Sequence, residues 1–123
     1  MISVTYTSIN NKLINTPIDI GADQSISDVI AQNVSFVTGL IIPSGWTTAD
    51  ISFSCSVDGT NFYDLYDANN YEVVVSVGSA NKFIMLNPNI WIHAPYLKIR
   101  SGISASPVNQ VSGSILTLIS RIL

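Results

Sequence analysis

Few residues in this chain are of the types that do acid–base, nucleophilic or metal chemistry, and their spacing limits them further. His93 is the single histidine. No HxH or HExxH pattern surrounds it, so it has no zinc-ligand partner, and no Ser-His-Asp set can be read around it. Between Ile92 and Ala94 it reads as a structural or solvent-facing residue. Asp64 and Asp67 lie three apart on either side of a turn. A glycosidase needs two carboxylates on facing walls of a cleft, and calcium needs a fuller oxygen shell, so both acids read as solvated turn residues. Cys55 is the single cysteine, which excludes an internal disulfide and a CxxC site. Gly45, Gly59 and Gly78 stand alone, without a phosphate-cradling GxGxxG or GxxxxGK. The expectation is a non-enzymatic protein with no cofactor and no metal site. Aromatic side chains remain as ligand-binding types. Tyr63, Tyr66 and Tyr71 cluster around one hairpin end, and Trp46 and Trp91 fall near loops. Such rings stack on sugars, fill interfaces, or simply sit half buried at a sheet edge. For Trp46 the plainer reading is a plug at the end of a sandwich core.

The composition bounds the rest. A chain of 123 residues is expected to form one domain over 1–123. That length buries about two thirds of its unfolded surface, enough for a core without staples. The hydrophobic fraction is 47% and the charged fraction 11%, against about 25% charged in ordinary soluble domains. The chain is too apolar for disorder and short of charge for a free-standing monomer. Either neighbouring subunits cover part of the surface, or Ser, Thr and Asn coat it; assembly is the favoured reading. The net charge is −3 and the basic residues are scattered, so no nucleic-acid partner is expected. No apolar run approaches the roughly 20 residues of a membrane helix. No leader of signal-peptide type is visible, which points to synthesis in a cytoplasm.

The stretch that organises the chain is Ile51 to Tyr66. Ile51, Phe53, Cys55 and Val57 alternate with Ser52, Ser54 and Ser56, which places the apolar residues on one face of a strand and the hydroxyls on the other. Asp58-Gly59 predicts a tight turn and Phe62 to Tyr66 a return strand. Further strands are expected over Met1–Ser8, Leu13–Ile20 (interrupted by Pro17), Val34–Ile42 as a buried central strand, Tyr71–Val77, Lys82–Leu86, Tyr96–Arg100 and Ser114–Leu123. Ser25–Gln32 reads as a strand or an irregular segment, and Ser101–Gly113 as a loop. About eight or nine strands at this spacing predict an all-β fold, an antiparallel β-sandwich of jelly-roll-like form.

The order of motifs carries a resemblance. Pro43-Ser44-Gly45-Trp46 is followed by Ser56-Val57-Asp58-Gly59-Thr60-Asn61-Phe62, by the strand Tyr96 to Gly102 (YLKIRSG), and by Val108-Asn109-Gln110. This succession resembles small virion proteins of tailed bacteriophages. They are auxiliary head proteins of the decoration or head-fibre kind, and related gene-transfer-agent components, in which a PxxW, an SxDGxxF turn, a YLKIRSG-like strand and a VNQ loop recur in this order. The resemblance spans roughly residues 39 to 118. The SxDGxxF turn and the strands after it are also similar to galactose-binding jelly rolls of the discoidin type. The first resemblance implies a virion location after synthesis in a host cytoplasm, with other virion proteins (capsid or fibre) and copies of itself as partners. The second implies a glycan ligand.

Two candidate interfaces follow. The final segment is apolar in both alternation phases: Ile115, Leu116, Leu118, Ile119, Ile122 and Leu123, interrupted by Thr117, Ser120 and Arg121. A strand apolar on both sides is covered on both sides. Ile119, Arg121, Ile122 and Leu123 are therefore expected against a neighbouring copy or a capsid surface. The tyrosine-bearing hairpin end, Tyr63, Tyr66 and Tyr71, is the second candidate.

Overall fold

The computed structural model describes residues 13–32, 35–87 and 95–122. The expected strand over Met1–Ser8, together with Trp91, His93 and Leu123, lies outside the described residues. The strands are β1 (Leu13–Ile20), β2 (Ile30–Ala31), β3 (Ser35–Ile42), β4 (Ile51–Ser56), β5 (Tyr63–Asp64), β6 (Lys82–Met85), β7 (Tyr96–Ile103), β8 (Ser106–Pro107) and β9 (Ser114–Ile122). One sheet has the order β1-β9-β3-β6 and the other β2-β7-β4-β5, with β8 pairing β7. Every pairing is antiparallel. Among the described residues there is no helix. This is the all-β sandwich that the alternation predicts.

Inward side chains of the two sheets form one core. Ile18, Ile20, Leu40 and Leu118 from the first sheet join Phe53 and Ile99 from the second. Each such side chain, fully buried, stabilises the fold by about 1.5–3 kcal/mol. Trp46 closes one end of this core, and its Nε1 donates to the Ala49 carbonyl at 3.1 Å. It is the expected plug, and burial removes it as a sugar platform.

Four expectations need correction. β1 is not interrupted at Pro17: it pairs with β9 along its whole length, Pro17 opposite Thr117. β1 lies at a sheet edge, where the missing N–H can face the open side. Tyr71–Val77 is not a strand but touches the sheet through two single bridging pairs, Tyr66–Glu72 and Ile51–Val75. The 101–113 loop is shorter than expected, because β7 runs to Ile103 and β8 folds back on it. Ser25–Gln32 needs no correction: expected as a strand or an irregular segment, it is mostly irregular, held by the Ile26–Arg100 bridge and the two-residue β2.

The fourth correction concerns the hairpin. β4 ends at Ser56, so Val57 leaves the strand and is 81% exposed rather than buried. Residues 57–62 form a longer loop wrapped around Asp58. Its carboxylate accepts from the amides of Asn61 and Thr60, from the Asn61 side chain and from the Ser56 hydroxyl. Those donors, led by the Asn61 and Thr60 amides, hold the Asp58 carboxyl well below the usual carboxylate range. Ser56 Oγ in turn accepts from the amides of Asp58 and Gly59. Gly59 has φ +79°, and a Cβ there would stand 3.3 Å from the Tyr96 ring. Phe62 ends the loop beneath the Lys98 ammonium, 4.5 Å from its ring centre. The residue pattern SxDGxxF thus specifies an Asx-type loop.

The hydroxyl face of β4 is not a solvent face either. Register places Ser52, Ser54 and Ser56 beside Arg100, Lys98 and Tyr96 of β7, and all three serines are buried. Cys55, on the other face, is half-buried against the core. Burial pushes its thiol up to about 11. At pH 8 a disulfide reagent is expected to label the native thiol roughly a hundredfold more slowly than the denatured one, because the thiolate is the nucleophile. Native and denatured rates within a factor of three would mean that the side chain stands free of the core.

The VNQ loop closes the Trp46 end of the sandwich. Gln110 is fully buried. Its Oε1 accepts from the Thr47 amide at 2.8 Å and the Ser114 hydroxyl at 3.1 Å. Its Nε2 donates to the Thr47 carbonyl at 3.0 Å and Ser101 Oγ at 2.8 Å. The backbone of Gln110 exchanges further bonds with Asp23 and Gln24. One residue, through its side chain and its backbone, therefore ties together four separate stretches of chain.

Candidate functional site: two interaction surfaces

The first surface surrounds β5 on the second sheet. Tyr63 and Tyr71 are 73% and 72% exposed and Tyr66 is 49% exposed. Tyr63 lies opposite Cys55, and Tyr66 bridges to Glu72, next to Tyr71. Register therefore sets Tyr63 on the face of Cys55 and Tyr66 on the face of Glu72, at one edge of the sheet. Beside it sits a charged network that the sequence did not announce. The Arg100 guanidinium donates to Asp64 at 2.6 Å and to Ser52 Oγ at 3.1 Å, and lies 3.6 Å from Glu72. Glu72 accepts from the Ser104 amide at 3.1 Å, and Ser52 donates to the Gly102 carbonyl at 2.7 Å. The Arg100 side chain is only 11% exposed, so its charge is spent on internal partners. A carboxylate opposite an arginine across two strands carries no local spacing signal, and only register reveals it.

Asp64 and Asp67 do not form an acid–base pair. Asp64 is bound to Arg100, whereas Asp67 accepts from the amides of Asn69 and Tyr71 in its own turn. Among the described residues no group of three or more His, Cys, Asp or Glu could hold a metal ion. The concave features include an open groove of about 540 Å³ over residues 23–29 with Lys98 and Asn109. Asp23, Asp28 and Lys98 are the ionisable side chains that line it.

The second surface is the outer face of the first sheet. Side chains directly opposite in an antiparallel pair share a face. Register then sets Pro17, Thr117, Ile41 and Phe83 in one row across the sheet, and Asn15, Ile119, Gly39 and Met85 in the next. Ile115, Phe83 and Met85 are 60%, 54% and 75% exposed. Ile119 belongs to this face but is already buried, while Arg121 and Ile122 are half-buried. Ile115 is thus not covered within the sandwich, and Ile119, expected against a neighbouring copy or a capsid surface, is buried by its own chain. A one-residue irregularity between Val37 and Gly39 lets both Val37 and Leu40 point inward. It leaves Gly39 on the outer face, where an added Cβ would meet the Phe83 ring at 2.8 Å. Sequence reasoning passed over Ile41, Phe83 and Met85. The signal was present in Lys82–Leu86, where apolar residues occupy both alternation phases, as in β9.

No family model matches the chain. No curated protein matches it either. Among solved structures, the C-terminal domain of a chitobiase from Bacteroides fragilis is similar at 16% identity, over 88% of this chain and 66% of that one, with a TM-score of 0.36. The chain thus spans just under two thirds of that structure.

Proposed function

We propose that this is a non-enzymatic virion structural protein, a capsid auxiliary, decoration or head-fibre-associated protein that binds the particle as a homo-oligomer. The observation that carries this reading is the outer face of the first sheet. Large apolar side chains stand in register there on a chain that is only 11% charged. Contiguous exposed apolar surface of this kind marks a binding site for protein more often than a free surface. The motif order from Pro43 to Gln110 supports the virion assignment, and the engaged carboxylates support a role without chemistry. Binding is by shape and apolar burial. Mass spectrometry of purified particles from a phage that encodes the chain is expected to find it in the virion; absence from intact particles would sink the assignment.

One observation favours a second reading, a carbohydrate-binding module. Tyr66, bridged to Glu72 of the Arg100 network, and the exposed Tyr63 and Tyr71 near it in sequence combine aromatic and polar groups of the kinds that suit a sugar face and its hydroxyls. Specific glycan-array binding lost in Tyr71→Ala, with the fold intact, would favour this reading over the first.

A further inference from the structure

We infer that the outer face of the β1-β9-β3-β6 sheet is a two-fold interface between copies of this chain, with strands of the two copies running antiparallel across it. The inference rests on the assembly reading above only in treating this face as an interface. It requires no particle, since the partner is the chain itself.

The charges on the face select the partner and its orientation. Asp19, opposite Ile115, and Arg121, opposite Leu13, are the charged positions on this face among the described strand residues. They stand at opposite ends, six residues apart along β9, which is about 20 Å of strand. The rows of Ile41 with Phe83 and of Gly39 with Met85 lie between them, and Ile115 shares the row of Asp19. A two-fold axis in the plane of the face can run along the strands or across them. An axis along the strands reverses their order, laying β1 over β6 and β9 over β3, and keeps each end on the same end, so that Asp19 of one copy never meets Arg121 of the other. An axis across the strands, near Leu118, reverses strand direction. It keeps β1 over β1 and β9 over β9, lays Asp19 of one copy beside Arg121 of the other, and does so twice by symmetry. It also stacks the Ile41, Phe83 and Met85 region on its own counterpart and sets Ile115 over the Arg121 end of the other copy. Only the second arrangement pairs every charge.

The size of the face sets the strength. Four strands about 4.8 Å apart and about 20 Å long give a plane on the order of 400 Å². Accessible surface exceeds the plane, but remains below the roughly 800 Å² per partner of a standard interface. Association is therefore expected in the micromolar range and should depend on protein concentration.

Analytical ultracentrifugation of the whole chain from about 1 to 200 µM is expected to show a monomer–dimer equilibrium. Met85→Glu should leave a monomer throughout. Asp19→Arg alone and Arg121→Asp alone should each weaken the dimer by about tenfold or more, since each acts twice in a two-fold complex. Asp19→Arg with Arg121→Asp should restore the dissociation constant to within about threefold of wild type. That rescue also shows that neither substitution acts by unfolding the chain. A wild-type monomer across the range overturns the inference, as does a dimer that survives Met85→Glu. A double variant no tighter than either single one overturns the antiparallel arrangement. Particle binding plays no part in these readouts, so they separate failure of the interface from failure of the virion assignment.

Discussion

Gln110→Met is expected to destabilise the fold by about 3–5 kcal/mol, roughly 10–20 °C in Tm for a domain of this size. Met has a similar length and no hydrogen-bonding amide. Its introduction leaves the Thr47 N–H and C=O without their partners inside a closed end of the sandwich, together with the hydroxyls of Ser101 and Ser114. Each buried group so stranded costs about 1–3 kcal/mol. The hydroxyls can turn to other acceptors, whereas the Thr47 backbone groups cannot move without moving the loop. Gln110→Glu separates shape from hydrogen bonding. A carboxylate there keeps the acceptor for the Thr47 amide but faces the Thr47 carbonyl with no proton to donate. Burial raises the folded pKa of such a group above its unfolded value. The stability of Gln110→Glu should then rise as the pH falls through that raised pKa, while that of Gln110→Met stays flat over the same range. Thermal melts between pH 4 and 8 would check both. A Gln110→Met melt within two degrees of wild type would show that the network does not hold this end of the sandwich.

Gly102→Ala is the second large effect. Gly102 has φ +92°, and an added Cβ would stand 2.6 Å from the Ser106 carbonyl oxygen, 2.7 Å from the Val108 nitrogen and 2.9 Å from the Pro107 Cα. All three are backbone atoms of β8 and the residue after it and cannot rotate aside. Gly102 also donates its amide to the Asp50 carbonyl and accepts from Ser52, so it cannot shift without breaking bonds to the β4 edge. Backbone strain and overpacking together should cost about 3 kcal/mol or more, a Tm loss of about 10 °C. Gly45→Ala is the matched control: a Cβ there meets nothing within 4 Å. It should change stability by no more than about 0.5 kcal/mol. Equal melts for the two variants would mean that the β7–β8 turn is not built around Gly102.

Both positions lie in motifs that the sequence singled out, the end of YLKIRSG and the end of VNQ. Their roles there are structural. The Gly lets one backbone approach another, and the Gln satisfies loop groups that no strand pairs. The same is true of SxDGxxF, whose Ser, Asp and Gly build a loop and whose Phe seats a lysine.

What the sequence by itself determined is local. Alternation along β4 and β7, turn residues between strands and the lack of helical spacing were enough for an all-β sandwich, because the side-chain period of a strand is set by its own backbone. Leu97 and Ile99 point inward and Trp46 plugs the core as that period and its position imply. Strand ends were less legible. Alternation runs one residue beyond Ser56 and so predicts a core position for Val57, where the Asp58 loop instead captures the chain. Tyr71–Val77 has strand-forming residues and yet forms only single bridges. Only the tertiary structure decided which strands lie side by side. It alone joined Asp64 and Glu72 to Arg100, and set Ile41 between Phe83 of β6 and Thr117 of β9, which lies 76 positions (117 − 41) along the chain from it. Those juxtapositions follow from register between distant segments. A slip of one residue would exchange every inward and outward side chain, so the burial of the whole core selects the register and, with it, what the outer face presents.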